Sequence, residues 1–328
     1  MLLLNKGIAE SMIDYRIDRL MAARKKAMAY GFKGAMFPWE SDDYGEESTP
    51  TFALTGPLEH HITADISIAC WNYYCLTCDG QWLRTKAFPL MKAVADFWVS
   101  RVTRNDDGSY SICNVVGADE YANRVDDNAF TNGAAIRALE YACEAARICN
   151  EPVPEIWKEV GKGIRILRFK DGVTREHATY NGEMIKQADV NLLGYPLYFV
   201  GDAESQKKDM EYYVDKIDPQ NGQAMSYSVF CVQYARMGDA KRAYEMFCRC
   251  YQPNLRAPFG VLAETPTSDN PYFMTGAGGL LQAVINGFCG LQITDGGVEQ
   301  LSSVLPAHWK KGTVKGVGPE KKMYVRER

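Results

Sequence analysis

The feature that most constrains this chain is its hydrophobic periodicity. From about residue 9 to about residue 290, apolar side chains recur at the three- and four-residue spacing of a helix face. Loops rich in Gly, Pro, Asp and Asn separate these stretches, and β-compatible pieces (LQIT and KKMYVRE) appear only after about residue 290. We therefore predict an all-α fold of paired helices whose polar loops line a pocket, as in an α/α toroid.

The helical pattern is confined to short segments with recognisable ends. Gly31, for example, is a suitable stop for the first of them. We predict helices in residues 9–31, 64–78, 87–102, 128–148, 155–169, 188–199, 206–217, 225–237, 240–251 and 279–293.

Composition excludes several classes of protein. The net charge of −4 argues against a nucleic-acid partner, which requires a basic face. No apolar run approaches the roughly 20 residues of a membrane span, and the start MLLLNKGIAE is too short for a signal peptide. Many of the 10 cysteines lie within apolar helical patterns, which indicates free thiols and a cytoplasmic location. The spacing of Cys75 and Cys78 has no second pair, so alone it does not predict a metal or redox site.

The stretch GADEYANRVDDNAFTN, residues 117–132, carries four carboxylates. Asp126 and Asp127, followed by Asn128, have the composition of an N-cap cluster, so we predict that they cap the next helix. The regular oxygen spacing of a calcium loop is absent. Capping does not explain Asp119 and Glu120, which leaves a chemical role open for them.

Two other polar segments are candidate sugar contacts. Trp39 and Glu40 follow Pro38, and an indole beside a carboxylate suits a sugar ring and its hydroxyl groups. A proline-led turn with solvated acids explains the same residues. Lys186 and Gln187 donate and accept hydrogen bonds at what we predict to be a helix start. A solvated helix N-terminus is the alternative there.

The segment GVLAETPTSDNPYFMTGAGGLLQAVINGF, residues 260–288, contains one isolated acid, Glu264. The following Thr275-Gly-Ala-Gly-Gly279 opens a predicted helix. Such a start either binds an anion through free backbone N–H groups or lets two helices pack closely. Composition does not separate these two interpretations.

Five motifs in this order give the chain a family resemblance. PWES, HITADISIACWNYY, GADEYANRVDDNAFTN, KQADV and TGAGGLLQAVINGFCGL resemble glycoside hydrolase family 65 over about residues 8–310. That family contains inverting disaccharide phosphorylases and α-glucoside hydrolases. The resemblance implies an (α/α)6 catalytic barrel in residues 1–290 and the start of a small β-domain in residues 291–328. It also implies an N-terminally truncated chain that begins inside the barrel, without the family's preceding β-sandwich and Phe-Trp-Asp segment.

Position by position, the resemblance assigns roles to the candidate residues. Glu120 matches the family's general acid. Trp39, Glu40, Lys186 and Gln187 match residues that bind the sugar ring. The general acid of a glycosidase must protonate the leaving oxygen, which requires a neutral carboxyl group.

Glu264 matches the general base of the hydrolytic branch. The phosphorylases instead hold phosphate with Ser pairs and a His-containing helix start. Here Ser302-Ser303 is the only adjacent Ser pair and lies beyond the predicted helices, and none of the four His lies near TGAGG. We therefore expect an inverting hydrolase of α-linked glucosides of the kojibiose, trehalose or glucosyl-galactose type. The alternatives are a phosphorylase that releases β-glucose 1-phosphate and an inactive fragment that only binds sugar. The resemblance implies a small carbohydrate substrate and no metal or organic cofactor.

Overall fold

The computed structural model describes residues 2–199 and 202–328. Within them, helices dominate. The α-helices are α1 (Lys6–Asp18), α2 (Leu20–Ala29), α3 (Thr55–Leu58), α4 (His61–Thr77), α5 (Gly80–Trp82), α6 (Phe88–Arg101), α7 (Ala129–Ile148), α8 (Glu155–Gly163), α9 (Ala203–Tyr213), α10 (Ala224–Arg236), α11 (Ala240–Arg249) and α12 (Met274–Gln282). The π-helical turns Leu83–Ala87 and Ala283–Phe288 continue α5 and α12. No helix in this described part is long and apolar enough to cross a membrane.

In the described part of the chain, the strands are short and form two-stranded sheets with their neighbours in sequence. They are β1 (Thr103–Arg104) with β2 (Tyr110–Ser111), β3 (Leu255–Arg256) with β4 (Val261–Leu262), β5 (Leu291–Thr294) with β6 (Gly297–Gln300), and β7 (Lys311–Val317) with β8 (Lys322–Glu327). The prediction of strands in LQIT and KKMYVRE is confirmed. The prediction that no strand precedes residue 290 is wrong, because β1 to β4 lie before it. These four strands have two residues each, so they are too short to show an alternating pattern in the sequence.

Several predicted helices differ from the observed ones. The segment predicted at 155–169 is helical only to Gly163, as α8, and the helix predicted to run to residue 293 ends at Phe288, before β5. The first segment divides at Arg19 into α1 and α2. The helix predicted at 188–199 is wrong, since the structure has only the 3-10 turn Val190–Leu193 there. Gly194 and Pro196 follow that turn, and both disfavour a continuing helix: glycine through its backbone entropy, and proline through its missing N–H.

The chain divides into two compact units. The first unit contains the chain up to Leu167, together with the short segments Arg175–Thr179 and Thr294–Gly297. The second contains Arg168–Thr174, Tyr180–Ile293 and Val298–Arg328. The proposed boundary at residue 290 stays a prediction. In the first unit, α7 packs against α4, α6 and α8. Its buried face is rich in alanine (Ala134, Ala135, Ala138, Ala142), so the neighbouring helices approach closely without a void.

In the second unit, α10 packs against α11 and α12. Gly279 of α12 faces Ser228 of α10, where a Cβ atom would lie 2.5 Å from the serine Oγ. Gly276 makes a similar approach to Ala224. The glycine-rich start of α12 therefore serves as a close helix contact, the second of its two interpretations.

Candidate active site

Trp39 and Glu40 lie on a backbone segment that one carboxylate fixes. Glu47 Oε2 accepts the Trp39 N–H at 2.9 Å, and Oε1 accepts the Glu40 N–H at 3.1 Å. Lys26 Nζ and Thr49 Oγ1 donate to the same carboxylate at 2.5 and 2.6 Å. The Trp39 indole is half-buried and Glu40 is exposed, so both are presented from a fixed backbone.

The charge of Glu47 is stabilised in this arrangement. Burial raises the pKa of Glu47, but the hydrogen bonds from Lys26 and Thr49 outweigh it and hold that pKa below its usual value. The sequence had offered a turn with solvated acids as the alternative reading of this segment. Glu47 is instead the organising acid, and this role was not predicted.

Glu120 lies in a tight turn whose base is tied to the chain just before α4. Val116 N–H donates to Leu58 O at 3.1 Å, and Ala122 N–H closes the turn on Asp119 O at 2.9 Å. The Asp119 side chain is buried and accepts the Tyr121 N–H at 3.2 Å. The Asp119 side chain therefore supports the loop, while Glu120 is half-buried.

The prediction that Asp126 and Asp127 cap the next helix is wrong. Asn128 caps α7, with its Oδ1 accepting the Thr131 N–H at 2.9 Å. Asp126 accepts a backbone N–H elsewhere in the loop. Asp127 is buried and pairs with Arg165. A buried carboxylate without a partner is unfavourable, so Asp127 forms an ion pair with the Arg165 guanidinium. The neutral side-chain amide of Asn128 caps the helix instead.

The N-terminal end of α4 carries a buried cluster of charged groups. His61 Nδ1 lies 2.7 Å from Asp65 Oδ2, and His61 Nε2 lies 2.9 Å from Glu59 Oε1. The imidazole edge meets the Trp39 ring, with centroids 5.7 Å apart. Burial lowers the pKa of His61, but Asp65 and Glu59 outweigh it and raise that pKa to about 10.

Glu59 connects this cluster to Glu120. Burial raises the pKa of Glu59 against the opposing effect of His61, and the charges of Glu120 and Asp65 add to the increase, so that the pKa of Glu59 is about 7. The first unit therefore brings Trp39, Glu40 and Glu120 to the same end of α4. Sequence reasoning missed Glu59 and His61, although the run LEHH before an apolar helix places three titratable residues together.

In the second unit, Glu264 is held by two buried amides. Gln223 Nε2 donates to Glu264 Oε1 at 2.7 Å, and Asn254 Nδ2 donates to the Glu264 backbone O at 3.2 Å. Both amide residues are at least 96% buried, with exposures of 4% and 2%. Gln223 is the N-cap residue of α10, and nothing in its sequence context distinguishes it from other glutamines.

Lys186 and Gln187 do not begin a helix, so that prediction is wrong. They lie in an irregular segment anchored by a bridge between Ile185 and Ile217. Ala188 N–H donates to Ser226 Oγ at 3.0 Å, in the first turn of α10. Gln187 is buried and Lys186 half-buried. The first turn of α10 thus anchors both this segment and, through Gln223, Glu264.

In the described part of the chain, no group of three or more His, Cys, Asp or Glu side chains is placed to hold a metal ion. A surface cavity of about 440 Å³ lies in the second unit, between α9, α10 and α11. It contains none of the residues that the sequence singles out.

Comparison with known proteins agrees with the resemblance. The sequence profile of the glycosyl hydrolase family 65 central catalytic domain matches residues 1–180. The kojibiose hydrolase of Mucilaginibacter mallensis is 51% identical over 99% of this chain, and that of Flavobacterium johnsoniae is 52% identical over 99%. A solved structure described as a kojibiose phosphorylase from the human microbiome superposes with a TM-score of 0.78 at 18% identity, covering 99% of this chain and 52% of that one.

The chain spans about half the length of the curated relatives it matches, 48% in both hydrolases. The 18% identity of the solved structure supports a common fold and nothing further about chemistry.

Proposed function

Since this chain belongs to glycoside hydrolase family 65, we propose that it hydrolyses an α-linked glucoside with inversion at the anomeric carbon. Glu120 is the general acid and Glu264 the general base. The observation that carries this proposal is the Glu264 carboxylate, held at Oε1 by Gln223 Nε2–H at 2.7 Å. This hydrogen bond fixes the direction of the Glu264 carboxylate, and a general base must be held in a defined position to reach the proton it removes.

The acid acts on the glycosidic oxygen. As the bond to the anomeric carbon breaks, the Glu120 carboxyl group transfers its proton to the leaving hydroxyl. In the same step, Glu264 takes a proton from the attacking water, whose oxygen forms the new bond to the anomeric carbon from the opposite face of the ring.

The remaining predicted residues hold the sugar. The Trp39 indole offers an apolar face to the ring, and the exposed Glu40 accepts hydrogen bonds from its hydroxyl groups. Lys186 and Gln187 supply further hydrogen bonds from their anchored segment. The small carbohydrate we propose first is kojibiose, the substrate in the names of the two bacterial relatives.

Hydrolysis is favoured over phosphorolysis by charge. A carboxylate at the position of the attacking group repels a phosphate dianion but activates water. In α12, whose start corresponds to the phosphate-binding segment of the phosphorylases, Gly276 and Gly279 pack closely against Ala224 and Ser228 of α10.

The architecture implied by the family completes the proposal. Residues 1–290 belong to an (α/α)6 barrel and residues 291–328 to a small β-domain. Residues 1, 200 and 201 of these ranges lie outside the described residues.

Proton NMR of kojibiose cleavage tests the stereochemical part of the proposal. We expect an early excess of β-glucose over the equilibrium ratio of anomers. Glu120→Gln and Glu264→Gln should abolish that signal, while the exposed control Glu46→Gln should keep it. An early excess of α-glucose would contradict inversion. Glucose binding without any cleavage would favour the inactive, sugar-binding alternative.

A further inference from the structure

Two neighbouring histidines at the start of α4 have opposite electrostatic surroundings. His60 Nε2 lies 2.9 Å from Pro57 O, and Arg101 Nε–H donates to His60 Nδ1 at 3.0 Å. One ring nitrogen must therefore donate and the other accept, which only the neutral imidazole does. Burial, followed by the charge of Arg101, lowers the pKa of His60 to about 3.

His61 has acceptors on both sides. Its two nitrogens lie 2.7 and 2.9 Å from the carboxylates of Asp65 and Glu59, and ionised carboxylates only accept hydrogen bonds. Both nitrogens must then donate, so the ring is an imidazolium. It is buried, with 7% of its side chain exposed, and the Glu59 side chain is fully buried. Between about pH 7, the pKa of Glu59, and about pH 10, the pKa of His61, the cluster of Glu59, His61 and Asp65 thus carries one positive and two negative charges.

The other charged groups around this cluster lie on separate elements. Glu120, in the loop before α7, acts on Glu59. Lys26 of α2 and Arg101 of α6 act on His60, the neighbour of His61. Lys26 and Arg101 both lower the pKa of His60 and so disfavour a positive charge there. The carboxylates of Glu59 and Asp65 are the groups that raise the pKa of His61.

The His61 ring contacts two aromatic rings, those of Trp39 and Phe130. It meets Trp39 edge to face, at 79° between planes, and meets Phe130 with centroids 4.9 Å apart. Two ionic hydrogen bonds fix the His61 ring in its plane, so the ring restricts the rotation of the Trp39 indole. The Trp39 backbone is fixed separately by Glu47. Side chain and backbone of Trp39 therefore have independent supports.

Glu59 has one oxygen without a partner. Oε2 is buried and has no hydrogen-bond partner among the residues that the structure describes. A neighbouring positive charge stabilises such a buried carboxylate, and His61 is the cation in contact with it. Loss of the His61 charge would leave Glu59 buried and uncompensated beside Glu120.

We propose that His61, charged and held between Glu59 and Asp65, is a positioning residue that fixes the Trp39 indole for sugar binding. The inference rests on the proposed function for the role of Trp39. It adds that a buried ion cluster, which does not contact the sugar, controls sugar affinity through the orientation of one indole.

Fluorescence titration of the full chain with glucose tests the proposal, since Trp39→Phe identifies the part of the signal that comes from Trp39. His61→Phe keeps the ring shape and removes the charge and both hydrogen bonds. We expect glucose affinity to fall 10- to 100-fold in this variant, while the exposed control His308→Phe binds like the wild type. His61→Gln, which still donates one hydrogen bond, should give a smaller loss.

Nitrogen-15 NMR of the imidazole rings supplies a readout that folding alone does not produce. Only four histidines are present, so single variants assign each signal. We expect both His61 nitrogens to be protonated at pH 8 and the His60 ring to be neutral. A neutral His61 ring at pH 8 would overturn the proposal, even if His61→Phe fails to fold.

The outcomes separate the two proposals. A wild-type chain that binds no glucose would remove the proposed sugar site itself. A wild-type chain that binds glucose, with a folded His61→Phe variant of unchanged affinity, would overturn only the positioning role of His61.

Discussion

Gln223 holds the proposed base at the residue scale. Its side chain is 4% exposed and donates to Glu264 at 2.7 Å. Hydrogen bonds to charged groups contribute about 1.5 to 3 kcal/mol, and the amide also fixes the direction of the carboxylate.

Replacement of Gln223 by methionine should lower kcat for kojibiose about 10- to 100-fold, because about 1.4 kcal/mol corresponds to a factor of ten. KM should change less, since Gln223 acts on the reaction through its hydrogen bond to the Glu264 carboxylate. Steady-state kinetics checks this, with the exposed Gln220→Met as the matched control. Equal losses in both variants would contradict the assignment.

Glu120 gives a second prediction at this scale. Without the acid, cleavage of kojibiose should fall by roughly 10²- to 10⁴-fold, the usual contribution of general acid catalysis. α-Glucosyl fluoride needs no protonation to leave, so Glu120→Gln should cleave it at a rate much closer to the wild type. Parallel losses on both substrates would show that Glu120 acts in another way.

Residue identities were predictable only where a motif carried them. Glu120 and Glu264 followed from ordered motifs of a known family, and their chemical roles remain predictions. Gln223 and Glu47 act through partners that are 41 and 8 residues away in sequence, and no local pattern encodes such contacts. The assignment of the α7 cap failed for the same reason, since Arg165 lies 38 residues from Asp127.

At the scale of elements, the contact between α10 and α12 depends on glycine. A Cβ on Gly279 would lie 2.5 Å from Ser228 Oγ and 3.3 Å from the Met225 Cα, whereas Gly278 faces open space. The two adjacent positions have the same helical backbone and different surroundings.

Alanine at these two positions should therefore have opposite effects on stability. Gly279→Ala should lower the free energy of unfolding by about 1 to 3 kcal/mol through overpacking. Gly278→Ala should raise it by up to about 1 kcal/mol, because alanine favours helices over glycine. Urea unfolding measures both. A neutral Gly279→Ala would show that the two helices can separate without cost.

Helix positions were largely predictable because each helix carries its own apolar period. The core helices α4, α6, α7 and α10 agree with the predicted segments to within about three residues. The segment 188–199 misled because its apolar residues are buried by tertiary contacts rather than by a helix face. Two-residue strands such as β1 are fixed by their partners and leave no periodic signal.

At the scale of the whole molecule, the buried histidines make stability depend on pH. His61 has a folded pKa of about 10 against an ordinary value of 6.5. Its contribution is therefore fully present below pH 6.5 and is lost as the pH rises towards about 10. His60 has the opposite sign: its contribution is present above pH 6.5 and is lost as the pH falls towards about 3. Glu59 has a folded pKa of about 7 against an ordinary value of 4.5, so its charged form is disfavoured in the folded protein. It therefore lowers stability as the pH rises from 4.5 to about 7.

Comparison of His61→Phe with the wild type isolates the alkaline part of this dependence. The difference in unfolding free energy should be largest at about pH 6.5 and should shrink as the pH rises from there to about 9.5. His308→Phe, at an exposed position, should show a difference that does not change with pH. Denaturant unfolding at several pH values measures it, and a difference that is constant for His61→Phe would contradict a charged His61.

The central claim is hydrolysis with Glu264 as base, and product analysis tests it most directly. Kojibiose is incubated with the chain, with and without inorganic phosphate, and glucose and glucose 1-phosphate are quantified. We predict glucose at the same rate in both conditions, and loss of that activity in Glu264→Gln. Formation of β-glucose 1-phosphate that depends on phosphate would contradict the account.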